Sequence, residues 1–188
     1  FALTALLIDV LMKTPKSRIV NVSSIALRFG KMNFEDLNSE KSYTKWAAYG
    51  QSKLANILFT LELQKRLTEV NSETICVATH PGYAATNLQG VGPQMENSKM
   101  GESMNAWANK LFAQSADMGA LPTLYAATHS PILGGNLYGP HKFWNSRGYP
   151  VLNQIAKQGR KPADAKQLWE MSEALTKIKF PDLSEFVI

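Results

Sequence analysis

The chain has 188 residues, 45% of them hydrophobic and 19% charged, a balance ordinary for a soluble globular protein, for which disorder is not the default and one domain with a substantial core is expected. Its net charge of +5 is dispersed from Lys13 to Lys179 with acidic residues between, without the concentrated basic stripe and interleaved aromatics that nucleic-acid binding favours. A solvated, mildly basic surface is expected, with some attraction for anionic ligands such as a phosphorylated cofactor.

The first element is an apolar helical pattern from Phe1 to Met12 that starts with neither Met nor a capping residue, so it reads as a helix cut at its start. No basic leader precedes it, and no apolar run approaches the roughly 18–20 residues that span a bilayer. A soluble, cytoplasmic chain without a membrane segment is expected. The single cysteine, Cys76, cannot form an internal disulfide and fits a reducing compartment.

Residues Ser17 to Ser24 form a β-branched run ending in small polar residues, the pattern of a buried parallel strand. A polar connection from Arg28 to Ser42 leads into a long helix over 44–67, with Leu54, Ile57, Leu58 and Leu61 on its apolar stripe. A second buried strand, 73–79, breaks at His80-Pro81-Gly82, because proline cannot donate to a ladder and glycine permits the turn. His80 reads as structural.

The stretch 83–115 is rich in Gly, Asn, Gln and Met and predicts a long loop with a helix at about 102–112. Its Met95, Met100, Met104, Trp107, Leu111 and Phe112 either form a substrate-binding lid or pack the loop onto the body. A helix over 116–128, a short strand over 136–139 and a helix over 163–176 complete the pattern. Trp144 and Trp169 are expected in the core or an interface. Helices alternating with strands predict an α/β fold: part of a Rossmann-type doubly wound parallel sheet, about three strands with flanking helices, in a single domain over 1–188.

Tyr49-Gly50-Gln51-Ser52-Lys53 sets a phenol and an ammonium four residues apart, on one helix face and about one turn apart. A phenol is a poor base at neutral pH, but a nearby cation favours its phenolate and lets it exchange protons with an alcohol or carbonyl oxygen. Ser24 ends a parallel strand, where open α/β sheets place their ligands, and its hydroxyl both donates and accepts. Three scattered histidines and one cysteine make no metal site, and the Gly-x-Ser-x-Gly elbow of a serine hydrolase is absent.

Three segments in order, Arg18-Ile19-Val20-Asn21-Val22-Ser23-Ser24, Tyr49-Gly50-Gln51-Ser52-Lys53-Leu54-Ala55-Asn56 and His80-Pro81-Gly82-Tyr83-Ala84-Ala85-Thr86, resemble the short-chain dehydrogenase/reductase family. The long gap between Ser24 and Tyr49, and Asn136-Leu137-Tyr138-Gly139-Pro140, resemble its retinol dehydrogenase and WW-domain oxidoreductase branch. The resemblance implies Tyr49 as general acid/base, Lys53 as its electrostatic partner and ribose ligand, and Ser24 as the residue orienting the carbonyl. It also implies cofactor contacts from Pro81, Gly82, Tyr83, Ala84 and Thr86, with NADP(H) ahead of NAD(H), and Ser23 as a strand-end structural residue. The implied substrate is a small, apolar carbonyl or alcohol, and a homo-oligomer is compatible with the family.

The family's Gly-x-x-x-Gly-x-Gly turn, its Asn-Asn-Ala-Gly segment and its first βαβ unit do not occur in these 188 residues. Gly90-Val91-Gly92 follows no strand and lacks the third glycine, so it is no dinucleotide fingerprint. The expectation is the C-terminal portion of a nicotinamide-dependent oxidoreductase, itself inactive. The alternative is a truncated, non-catalytic interaction protein with an exposed edge beside the strand carrying Val20.

Overall fold

The structure, a computed structural model, describes residues 1–84 and 113–186. Their elements are α1 (Ala2–Lys13), β1 (Arg18–Val22), a 3₁₀ turn (Ile25–Arg28), α2 (Lys45–Glu69), β2 (Ile75–Thr79), α3 (Ala116–Thr128), β3 (Leu137–Lys142), β4 (Arg147–Asn153), a second 3₁₀ turn (Lys157–Arg160), α4 (Pro162–Thr176) and a third (Leu183–Phe186). The sheet runs β1-β2-β3-β4, with the first three strands parallel and β4 antiparallel to β3. The α/β class and the parallel arrangement match the expectation from sequence. The fourth strand differs from it, since β3 turns back on itself in a hairpin instead of ending as a short third strand.

Side-chain alternation along the strands divides the core in two, as the period of two requires. Ile19 of β1 and Cys76 of β2 pack with Ile8 of α1 and Leu63 and Leu67 of α2. Ala78 and Leu137 meet Ile57 of α2 on the same side. On the opposite face, Val77 and Tyr138 pack with Ala126 of α3 and Ile132. Helices therefore cover both faces, which is why the strands read as continuous apolar runs.

Helix α2 is the centre of this arrangement. Its Leu54, Ile57, Leu58, Leu63 and Leu67 are all fully buried, and α4 packs along it through Ala165 and Leu168. Trp169 lies in an aromatic cluster with Phe1, Phe59 and Phe180, and the Arg66 guanidinium lies 4.1 Å from its ring centroid. Trp169 is thus a core residue, as the sequence suggests. Trp144 is not: it is 88% exposed at the tip of the β3–β4 hairpin, because a turn of three left-handed residues carries it outward.

Among the described residues no helix is long and apolar enough to cross a membrane, and no group of three His, Cys, Asp or Glu side chains could hold a metal ion.

Candidate active site

The strands β1 and β2 end side by side, with Val22 paired to Thr79, and the parallel ladder continues one step as the Ser23 N–H donates to the Thr79 carbonyl at 2.6 Å. Beyond that step both chains leave the sheet into polar turns. Open α/β sheets bind their ligands at such carboxyl ends, because the departing loops open a crevice there.

Ser23 and Ser24 divide two tasks. The buried Ser23 hydroxyl donates to the Lys53 carbonyl of α2 at 2.7 Å, and one turn further along α2 the Asn56 side-chain amide donates to the Val22 carbonyl at 2.9 Å. These bonds pin the strand end to the helix at the level of Lys53, consistent with the structural role expected of Ser23. Ser24 instead caps the 3₁₀ turn, its hydroxyl oxygen accepting from the Ala26 N–H at 3.2 Å. Its own O–H has no acceptor among the described residues.

Tyr49 and Lys53 occupy one face of α2, both half-buried. The Lys53 ammonium lies 5.5 Å from the Tyr49 ring centroid, within the range of a cation–π contact. Neither the Tyr49 hydroxyl nor the Lys53 ammonium has a hydrogen-bonding partner among the described residues. A turn earlier, the exposed Trp46 packs edge-on against the Tyr49 ring at 6.3 Å. Sequence reasoning missed Trp46, although its spacing of three from Tyr49 placed it on the same face.

A glycine inside a helix costs about 1 kcal/mol relative to alanine, and Gly50 shows what it permits. The connection from Ser24 runs over α2 at this point: a Cβ on Gly30 would overlap the Gly50 carbonyl oxygen, and one on Gly50 would press on the Phe29 ring at 3.0 Å. Gln51 fixes the next part of that connection, accepting from the Asn33 N–H at 2.6 Å and donating to the Leu37 carbonyl at 3.0 Å. The segment from Ser24 to Leu37 is therefore held against the helix that carries Tyr49.

The other rim of the crevice is the turn after β2. His80 is buried there, and its ring accepts the Gly82 N–H on Nδ1 at 3.2 Å. That leaves the proton on Nε2, which donates to Asn153 Oδ1 at 2.8 Å. Burial holds the imidazole down at about pKa 4, the positive charge of Arg28 adds to this, and the Asn153 bond opposes it. A neutral, doubly bonded ring is structural, as the sequence suggests.

Gly82 has φ +70, and a Cβ there would collide with the Ser146 carbonyl oxygen. This oxygen also accepts the Tyr83 N–H at 2.7 Å. Ala84 forms an isolated bridge with Gln114, whose side chain ties the Pro81 carbonyl to the Gly148 N–H. Pro81, Gly82, Tyr83 and Ala84 thus sit together at the end of β2. Thr86 and almost all of the loop expected over 83–115 lie outside the described residues.

These residues stand in chains with known relatives. No protein-family model matches the chain. It is similar to mouse Retinol dehydrogenase 14, 36% identical over 95% of this chain and 50% of that protein, and to human Retinol dehydrogenase 11, 35% identical over 92% and 49%. Human Retinol dehydrogenase 13 is 33% identical over 98% of this chain and 53% of its own length. A crystal structure of an uncharacterized protein from Mycobacterium paratuberculosis superposes with a TM-score of 0.73 at 38% identity, covering 96% of this chain and 56% of that one. The chain spans about half the length of the relatives it matches.

Proposed function

The chain belongs to the short-chain dehydrogenase/reductase family, in its retinol dehydrogenase-like branch, and from that membership we propose that it carries the catalytic half of an active site for hydride transfer between a nicotinamide cofactor and an apolar carbonyl or alcohol. The observation that carries the reading is the bond from Ser23, next to Ser24 at the end of β1, to the Lys53 carbonyl of α2, the helix on which the Lys53 ammonium lies 5.5 Å from the Tyr49 ring centroid. The Ser24 O–H, the phenol and the ammonium are uncommitted among the described residues.

The donor set fits one half of a nicotinamide dinucleotide. Lys53 and Tyr49 offer an ammonium and a hydroxyl to ribose oxygens, and on the family resemblance the backbone of Pro81–Ala84 would meet the carboxamide. Adenosine and pyrophosphate contacts are assigned to sequence other than these residues, which contain no Gly-rich turn after a strand. NADP(H) is proposed ahead of NAD(H) on the family resemblance. In the reductive direction a nicotinamide held by Tyr49 and Lys53 would supply hydride to the carbonyl carbon. The Tyr49 hydroxyl donates its proton to the carbonyl oxygen, while the Ser24 O–H donates a hydrogen bond to that oxygen as negative charge develops on it. Lys53 stabilises the phenolate left on Tyr49, which recovers a proton from solvent before the next turnover.

General acid–base catalysis of this kind is worth roughly 10²–10⁴-fold. Tyr49→Phe in the natural polypeptide should lower kcat by about that factor, while NADPH affinity, followed by fluorescence titration, falls by no more than about tenfold, the worth of the one ribose contact its hydroxyl would make. Turnover close to the unsubstituted level would overturn the assignment. The 188-residue chain alone is expected to bind NADPH and NADH weakly and to be inactive. Tight binding by it would move the whole cofactor site into these residues. A second reading, a non-catalytic association module, draws on the edge position of β1 and the exposed apolar side chains of α1. Nicotinamide-dependent turnover by the natural polypeptide excludes it.

A further inference from the structure

The β3–β4 hairpin ends in a turn that is costly to make. Phe143, Trp144 and Asn145 have φ of +48, +55 and +68, a left-handed run without glycine in which each residue costs on the order of 1 kcal/mol or more. Such a conformation persists only where surrounding contacts impose it. Within the hairpin, the Asn145 amide donates to the Pro140 carbonyl at 2.9 Å, and the Ser146 N–H donates to the Lys142 carbonyl at 3.0 Å.

Two further holds come from the walls of the crevice. On one side the Ser146 carbonyl oxygen accepts from Tyr83 and occupies the space a Cβ on Gly82 would take. On the other, Arg28 ends the 3₁₀ turn that Ser24 caps, and its guanidinium donates to the Trp144 carbonyl at 3.2 Å and to Asn145 Oδ1 at 2.5 Å. The backbone of Arg28 is fixed as well, because the Gln158 amide donates to the Leu27 and Arg28 carbonyls at 2.9 and 2.6 Å. The turn therefore bridges the loop leaving β1 and the loop leaving β2, across the end of the sheet where Ser24 and Pro81 lie. Its two aromatic side chains, Phe143 at 67% and Trp144 at 88% exposure, are left facing solvent at that bridge.

We propose that Arg28 is a positioning residue of the site described above: it latches the Phe143–Asn145 turn to the Ser24 loop, so that Phe143 and Trp144 form one wall of the substrate entrance and favour apolar carbonyl compounds long enough to reach them. The inference rests on the reading of Ser24, Tyr49 and Lys53 as the reaction centre. A planar guanidinium spans two acceptors in a fixed fork, which a lysine ammonium does not reproduce. A surface hydrogen bond of this kind adds little to global stability. Its consequence is local: without the latch the turn keeps its hold on Tyr83 and loses its hold on the Ser24 side.

The test compares a short and a long aldehyde, butanal and decanal, as substrates of the natural polypeptide with Arg28→Ala, Arg28→Lys and Asn145→Ala. Loss of a charge-assisted bond at the entrance should raise KM for decanal about tenfold, with kcat within about twofold and butanal kinetics unchanged. Arg28→Lys should fall between, and Arg28→Ala combined with Asn145→Ala should cost less than the sum of the two, because they share the Arg28–Asn145 contact while each also removes a bond of its own, to the Trp144 and Pro140 carbonyls. Equal losses on both aldehydes, a fall confined to kcat, or no change on either would overturn the latch while leaving the reaction centre standing. An unsubstituted polypeptide that reduces neither aldehyde with NADPH or NADH would overturn the reaction centre first, and the entrance with it.

Discussion

Helices α1 and α2 both lie on the same side of the sheet, yet they are held in different ways. Along α2 the apolar stripe is sealed: Leu54, Ile57, Leu58, Leu63 and Leu67 are all at 1% exposure or less. Along α1 only Ala5 and Ile8 are buried, while Leu3, Leu6, Leu7 and Val10, at helical spacings of three and four, are 46–72% exposed. Side-chain bonds reach both helices, but those on α1 gather at its C-terminal end, where the Leu11 carbonyl accepts from Ser17 and Thr74 at 2.7 and 3.2 Å, while those on α2 are spread along it. Asn56 and the Lys53 carbonyl tie α2 to the end of β1, and the Asn21 amide donates to Thr60 Oγ1 midway along it at 2.9 Å. The helix that carries Tyr49 and Lys53 is over-determined by packing and hydrogen bonds together, whereas α1 rests on a narrow seam. Placement of the phenol and ammonium is thus a property of the α2, β1 and β2 corner.

The sharpest way to break that corner is to empty its core. Leu58 is fully buried, in a cluster with Leu54, Ala165 and Leu168, and removing a buried leucine leaves both a lost transfer energy and a cavity. Leu58→Ala is expected to lower unfolding free energy by about 2–5 kcal/mol, read from the urea midpoint of the natural polypeptide at unchanged slope. A loss below about 1 kcal/mol would mean that α4 collapses into the space, and that α2 is less tightly determined than its burial indicates.

What the sequence discloses follows the same line. The strands β1 and β2 and the helices α2 and α3 are legible because burial on both faces, or on one stripe, writes itself into apolar periodicity. The strand β4 is not, because Gly148 and Pro150 interrupt it and Tyr149, Val151 and Leu152 point outward. An edge strand tolerates such a proline, which has no ladder bond to lose on its free side. Tyr49 and Lys53 are legible since both lie on one helix, within one turn. Arg28 with Asn145 and His80 with Asn153 are separated by 117 and 73 residues, and no local pattern announces a pair that only topology brings together. Of the two places expected for Trp144, the core is excluded for the same reason, since the backbone of its turn holds the ring outward.

Acidification should loosen the rim of the crevice. His80 is held near pKa 4 in the fold, chiefly by burial, against about 6.5 when unfolded. As pH falls below about 6.5 the unfolded chain takes up a proton that the folded one refuses, so the histidine's contribution to stability is complete above that value and declines as pH falls towards 4. The full difference is on the order of 3 kcal/mol. Between about pH 6.5 and 5, above most carboxylate titration, unfolding free energy should fall with a slope that His80→Gln abolishes. A slope unchanged in the variant would assign it to other groups.

The smallest effect is expected on the open face of α1, and it is the one that tests the contrast most directly. Leu6 is 69% exposed, so its side chain has little burial to lose, and Leu6→Gln keeps a straight-chain residue of similar helix propensity. A shift within about 0.5 kcal/mol is the expectation for a substitution away from any core contact. If the same variant costs about 2 kcal/mol or more in the natural polypeptide, then Leu6 is covered there by apolar surface that these residues do not supply. The α1 stripe would then be a second packed interface, and the difference between the two helices would reflect which neighbours are present. A near-zero result would leave the stripe as solvent-facing surface and confine the determinants of Tyr49 and Lys53 to the corner where α2 meets β1 and β2.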